Sequence, residues 1–197
     1  MNRWLAGAFD PGGRFDASRL ASATAPHEAR TLESGPLRVA YSGPPLPATA
    51  PLCLLDGVLD NADELRAELG LSDAPAEEHL LAVGYRRWGR GLPRRLRGDF
   101  VVLLWDPERG EGLLARDQLG VQPFYLCDNG EGVKFASEVR HLIALLPRQP
   151  EPDRASVAHW IGVSSRPGMQ TLWAGIRRLQ PGGMLLFDRR GIREATY

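Results

Sequence analysis

The sequence predicts an α+β fold built on a mostly antiparallel sheet, and three observations carry that reading. β-rich runs succeed one another between residues 99 and 136 with no helical stretch among them. Pairs of these runs are joined by short polar turns, Asp106-Pro107-Glu108-Arg109-Gly110 and Asp128-Asn129-Gly130-Glu131-Gly132, the mark of hairpins rather than of crossovers. Helical stretches come in pairs on either side of this block, and no solenoid-type repeat is visible.

In chain order, Trp4 to Phe9 reads as a short apolar strand stopped by Asp10-Pro11-Gly12-Gly13. Leu37 to Ser42 alternates weakly before the stiff loop Gly43-Pro44-Pro45-Leu46-Pro47, and Leu52 to Leu55 reads as a buried strand ended by a turn at Asp56-Gly57. Asn61 is placed to cap a helix, with Glu64 at capping-box spacing and Gly70 as its stop. A second helix over Ala76 to Trp88 turns Leu80, Leu81, Val83 and Trp88 to its apolar side and closes at Gly89. Asp99 to Trp105, Glu111 to Ala115, Phe124 to Cys127 and Val133 to Ala136 form a predicted four-strand meander. Helices at Glu138 to Leu146 and Asp153 to Ile161 and a last hairpin complete the chain.

The 197 residues suit one domain or two small ones. Hydrophobic residues at 43% and charged residues at 24% exclude a disordered tail, a collagen-like rod and a disulfide scaffold. Basic and acidic residues balance at 24 each, so no global field favours nucleic acid or an anionic membrane. No apolar run approaches the length of a membrane span or signal peptide. Cys53 and Cys127 sit in apolar stretches and are expected as buried free thiols of a cytoplasmic protein rather than a disulfide. His27, His79, His141 and His159 lack metal-ligand spacing, and no metal site is expected.

Two features stand out chemically. The block LRGDFVVLLWDPERGEGLLARDQLGVQPFYL, residues 96 to 126, is followed by FASEVRHL at 135 to 142. Its second strand ends in Arg116-Asp117, with Gly120 to free the backbone and Pro123 to fix the restart. Asp117 can accept from loop amides or pair with Arg116 or another arginine, in a structural rather than a catalytic role. The other feature is the arginine cluster Arg86, Arg87, Arg90, Arg94, Arg95 and Arg97. It could greet an acidic peptide, a carrier protein or a phosphate, but a solvated helix end favoured by the helix dipole is the plainer reading.

The block resembles the N-terminal class II glutamine amidotransferase domain of asparagine synthetase-like enzymes. The residues that carry the resemblance are Gly98, Phe100, Asp106, Arg116, Asp117, Gly120, Pro123, Tyr125, Phe135, Ala136, Ser137 and Glu138. Leu172-Trp173-Ala174-Gly175-Ile176, Arg178-Leu179 and Pro181-Gly182 resemble the segment that closes such a domain. The resemblance implies a four-layer αββα sandwich, the N-terminal-nucleophile fold. Its chemistry uses a mature N-terminal cysteine whose own α-amine is the general base, together with donors for the oxyanion.

Here the sequence departs from the family. Leu5-Ala6-Gly7 fixes the start and places Arg3 where the cysteine would be, or Asn2 if the chain is shifted. The glutamine-pocket stretch becomes Asp56-Gly57-Val58. Gly57 keeps a backbone amide, Asp56 replaces an amide donor with a carboxylate, and Val58 replaces an acidic group. The aspartate that would receive the substrate's amino group falls at Glu77. The expectation is a single domain over residues 1–197, with a degenerate glutaminase site, attached to or partnered by an ATP-dependent synthetase domain that follows it. In β-lactam synthetases and lasso-peptide cyclases of this architecture the substrate brings its own amine. ATP and magnesium are expected only in that synthetase domain and no cofactor in this chain; a peptide substrate is a further expected partner. The rival readings are a working glutaminase of an asparagine synthetase and a peptide- or protein-binding module.

Overall fold

A computed structural model of the chain describes residues 3–24, 29–43, 45–46, 51–71, 76–128, 132–162, 168–188 and 190–197. The fold is α+β, with two sheets whose strand pairings are all antiparallel. The chain divides into two compact units, each holding one sheet and each assembled from separate stretches of sequence.

The first unit draws on residues 1–3, 43–122 and 181–197. Its sheet consists of β4 (Leu52–Leu59), β5 (Gly98–Asp106), β6 (Glu111–Arg116), β10 (Gly183–Asp188) and β11 (Gly191–Thr196), in the order β11-β10-β6-β5-β4. Helices α2 (Ala62–Leu69) and α3 (Glu77–Trp88) and a 3₁₀ segment over Gly89–Arg95 supply the partners of one sheet face. Leu65, Leu81, Tyr85 and Leu92 join Leu55, Phe100, Val102 and Leu113 in a common core. The alternate positions of β5, Val101, Leu103 and Trp105, are buried as well, which is why that strand reads as a continuous apolar run.

The second unit draws on residues 4–42 and 123–180. It holds β1 (Leu5–Phe9), β2 (Arg30–Ser34), β3 (Leu37–Tyr41), β7 (Tyr125–Asp128), β8 (Val133–Ala136) and β9 (Arg177–Arg178), in the order β2-β3-β1-β8-β7-β9. Helices α1 (Ser18–Thr24) and α4 (Val139–Leu145) pack here, with Leu20, Leu142 and Leu145 against Ala6, Ala8 and Ala136. Helix α5 (Arg154–Ile161) is capped by Asp153, whose side chain accepts from the Ser156 amide at 2.7 Å.

Three expectations are corrected, and two elements are added. The meander does not exist as one sheet: β5 and β6 pair, but β6 takes β10 on its other side, while β7 pairs with β8 and β9. A partner some 70 residues away leaves no local mark in the sequence, so the adjacent apolar run looked like the natural neighbour. Asp56-Gly57 is not a turn, since β4 runs through it to Leu59. Gly57 has φ 123° beside Phe100 of β5, and a Cβ there would run into the Asp99 carbonyl, so the glycine serves close strand approach. Asn61 does precede α2 but gives no side-chain cap. Its amide instead donates to Arg95 O and accepts from Arg97 N, both at 2.9 Å, and Glu64 pairs with Arg97 rather than closing a capping box. Finally, α1 and β2 were not foreseen. β2 is an edge strand of mostly exposed, polar residues with no apolar alternation to read.

Candidate functional site

In the first unit, β4 positions its residues on two faces. Cys53, Leu55 and Leu59 turn toward α3 and its core. The alternation of a strand places Asp56 and Val58 on the other face, Asp56 buried and Val58 exposed. Arg3 reaches the α3 side: its Nη1 donates to Glu78 Oε1 at 2.7 Å and lies 3.4 Å from the Leu55 carbonyl. Asn2, the alternative nucleophile position, lies outside the described residues. Glu77 opens α3 half-buried, whereas Glu78, one residue on, is buried and paired with Arg3.

The sequence reading missed Glu78, although a signal was present. Residues 78, 81, 82 and 85 fall at helical spacing on one face, so a carboxylate stood on the apolar stripe of α3. Glu78 Oε2 is buried and without a hydrogen-bond partner. Cys53 lies on the same face of β4, with Sγ 3.7 Å from Pro51 O. Burial pushes its thiol well above the ordinary range, and the Glu78 charge adds to this while Arg86 opposes it. Cys53 is an internal thiol, with its own nitrogen in a peptide bond, and burial disfavours its thiolate form.

The Arg116-Asp117 loop is built differently. Asp117 is 1% exposed, and its carboxylate accepts from three loop amides: Leu119 N at 3.1 Å and Val121 N at 2.9 Å on Oδ1, and Gln122 N at 3.0 Å on Oδ2. Its backbone carbonyl accepts from Gly120 N and Gly182 N, and its amide donates to Phe100 O. Arg116 donates to the Gln122 carbonyl at 2.5 Å and to that of Gly120. Gly120 has φ 66°, and a Cβ there would meet Pro181 Cγ at 2.8 Å. This constellation frames the loop. In the second unit Ser137 ties β8 to β1, its Oγ accepting from Leu5 N at 3.2 Å and its amide donating to Leu5 O. Glu138 precedes α4 and pairs with Arg140 at 2.6 Å.

Three arginines of the cluster, Arg90, Arg95 and Arg97, are engaged with local carboxylates. Arg90 meets Glu111 at 2.9 Å, Arg95 meets Glu68 at 2.6 Å and lies 4.6 Å over the Trp88 ring, and Arg97 meets Glu64. A surface basin of about 730 Å³ beside Arg90 carries both signs of charge, with Arg109, Arg193, Glu111 and Asp188 in its lining. Cys53 and Cys127 are free and buried. Among the described residues no group of His, Cys, Asp and Glu is placed to hold a metal, and no helix is long and apolar enough to cross a membrane.

Residues 46–197 match the glutamine amidotransferase domain family. The chain is 33% identical over 128 residues to a Mycobacterium bovis protein provisionally named a glutamine-hydrolysing asparagine synthetase, covering 63% of this chain and 20% of that protein. It is 28% identical over 149 residues to the glutamine-hydrolysing asparagine synthetase 3 of Bacillus subtilis, covering 73% of this chain and 24% of the relative. It thus spans about a fifth to a quarter of the length of these curated relatives. The fold is that of the glutamine phosphoribosylpyrophosphate amidotransferase of B. subtilis, with a TM-score of 0.63 at 14% identity over 98% of this chain and 48% of that one. Two antiparallel sheets with their helices, the sequence motif from Arg116 to Glu138 and these likenesses agree: the chain belongs to the class II glutamine amidotransferase domain family, in its asparagine synthetase-like branch, with the N-terminal-nucleophile fold.

Proposed function

We propose that this chain is the glutaminase-like domain of an asparagine synthetase-type, ATP-dependent amide-forming enzyme, that its glutaminase site is inactive, and that it serves as a structural or docking domain. The observation that carries the reading is Arg3. By the resemblance, Arg3, a cation paired to Glu78, takes the position where the family's chemistry needs a thiol with a free terminal amine. Asp56, a buried carboxylate in the stretch that should help hold a developing oxyanion, supports it further. Removing one oxyanion donor alone lowers rate on the order of 10²–10³, and a carboxylate opposes the charge as well. In this reading the family's pocket survives only as Asp56, Gly57, Val58 and Glu77. Arg116, Asp117, Gly120, Ser137 and Glu138 are structural.

The length of the relatives supports a synthetase domain or subunit as the partner that follows this segment, in which ATP and magnesium would act. In an enzyme of the lasso-peptide cyclase or β-lactam synthetase type the substrate, a peptide in the first case, would bring its own amine. A second reading, a working glutaminase, is favoured by the glutamine-hydrolysing names of the relatives. A coupled glutamate dehydrogenase assay separates the two. The expected outcome is no glutamate release above the spontaneous rate and no labelling by an electrophilic glutamine analogue. Turnover by the unmodified protein would replace the first reading with the second.

A further inference from the structure

Between β4 and α3, Arg3 meets acceptors from both elements, the Leu55 carbonyl and the Glu78 carboxylate. Arg3 uses one nitrogen on them. Nη1 serves both Glu78 Oε1 and the Leu55 carbonyl, while Glu78 Oε2 stays buried with no partner. A guanidinium and a carboxylate pair best side by side, through two parallel N–H bonds to two oxygens. Arg3 meets this carboxylate through a single oxygen instead. The Arg3 side chain is 34% exposed against 7% for Glu78, so the site opens to solvent where Arg3 enters and is closed at the carboxylate.

We propose that Leu55 O and the Glu78 carboxylate form a binding site for a guanidinium group, one that the chain fills with its own Arg3 and that an outside guanidinium can take when Arg3 is removed. The inference goes beyond the function proposed above. It concerns what this pocket holds, and it stands or falls whether or not glutamine is hydrolysed. A free guanidinium is not tethered to β1 and can engage both Glu78 oxygens, including the one that Arg3 leaves bare. Val58 and Asp56 lie on the other face of β4 and play no part in it.

The test is chemical rescue. Arg3→Ala is expected to lower Tm by about 5 °C, because it leaves a buried carboxylate alone. Methylguanidinium chloride at about 10 mM should restore part of that loss by binding the folded state only. The same addition should leave wild type unchanged, since its site is filled, and should not help Arg3→Ala/Glu78→Gln, which lacks the anion. An equal shift with potassium chloride, an equal shift in the double variant, or no shift in Arg3→Ala overturns the proposal. Should Arg3→Ala not fold by itself, its yield on dilution from urea becomes the readout. A yield that rises with methylguanidinium and not with potassium chloride supports the site, and an unchanged yield refutes it.

Discussion

Two buried carboxylates of the first unit are satisfied in opposite ways. Asp117 is surrounded by the chain's own amides: three N–H groups of residues 119–122 use both of its oxygens. Glu78 meets one side-chain cation through one oxygen and has nothing on the other. The difference teaches how to tell a scaffold from a site. A carboxylate answered by backbone donors fixes a loop, because it ties the amides of residues 119, 121 and 122 to one buried point. A carboxylate answered by a single exchangeable side chain keeps unspent valence, and unspent valence in a dry place is where ligands bind.

The comparison can be broken at either end. Asp117→Ala is expected to have the largest effect, about 3 kcal/mol, because three loop amides lose the buried carboxylate they share. Urea unfolding with an unchanged midpoint would show that water replaces the carboxylate and that the loop needs no anchor. An intermediate effect is expected beside Glu78 at alkaline pH. Cys53 is held protonated in the fold well above its ordinary value of 9.0. Above that pH the unfolded chain releases a proton that the folded chain keeps, so stability falls as pH rises. One unit above 9.0 the expected loss from this thiol is on the order of 1 kcal/mol, absent in Cys53→Ala. Parallel stability-against-pH curves for the two proteins would remove Cys53 from the account. The smallest effect is expected at the surface pair Arg95–Glu68, where both side chains are nearly half exposed. Arg95→Ala should change stability by no more than about 0.5 kcal/mol, Trp88 contact included. A loss as large as that at Asp117 would mean that the arginine cluster organises the fold rather than decorating it.

Much of the fold was legible because it rests on local chemistry. The Asp106–Gly110 hairpin, the Gly70 and Gly89 helix stops and the Asp153 cap are all written within a few residues of where they act. The order of strands was not, since the β6–β10 pairing joins stretches with no local relation. At the pocket, the placement of Arg3 came from a family pattern, whereas its partner could have come from periodicity alone. Asp56-Gly57 misled because the same dipeptide serves a turn or a strand that must let its neighbour come close, and only the neighbour decides.

The interleaving of the two units carries a consequence for synthesis. Each unit is assembled from separated stretches, and the sheet that opens with β4 is completed only by residues 181–197. A ribosome must therefore emit residues 183–188, some 70 residues beyond β6, before β6 can find β10, and until then β6 has a bare edge. Distant pairings of this kind delay folding and leave strand edges open to the wrong partners. The last hairpin thus acts as a clasp on the nascent chain. A nick or deletion there would strand β4 to β6 as an unfinished sheet, with aggregation as its ready alternative.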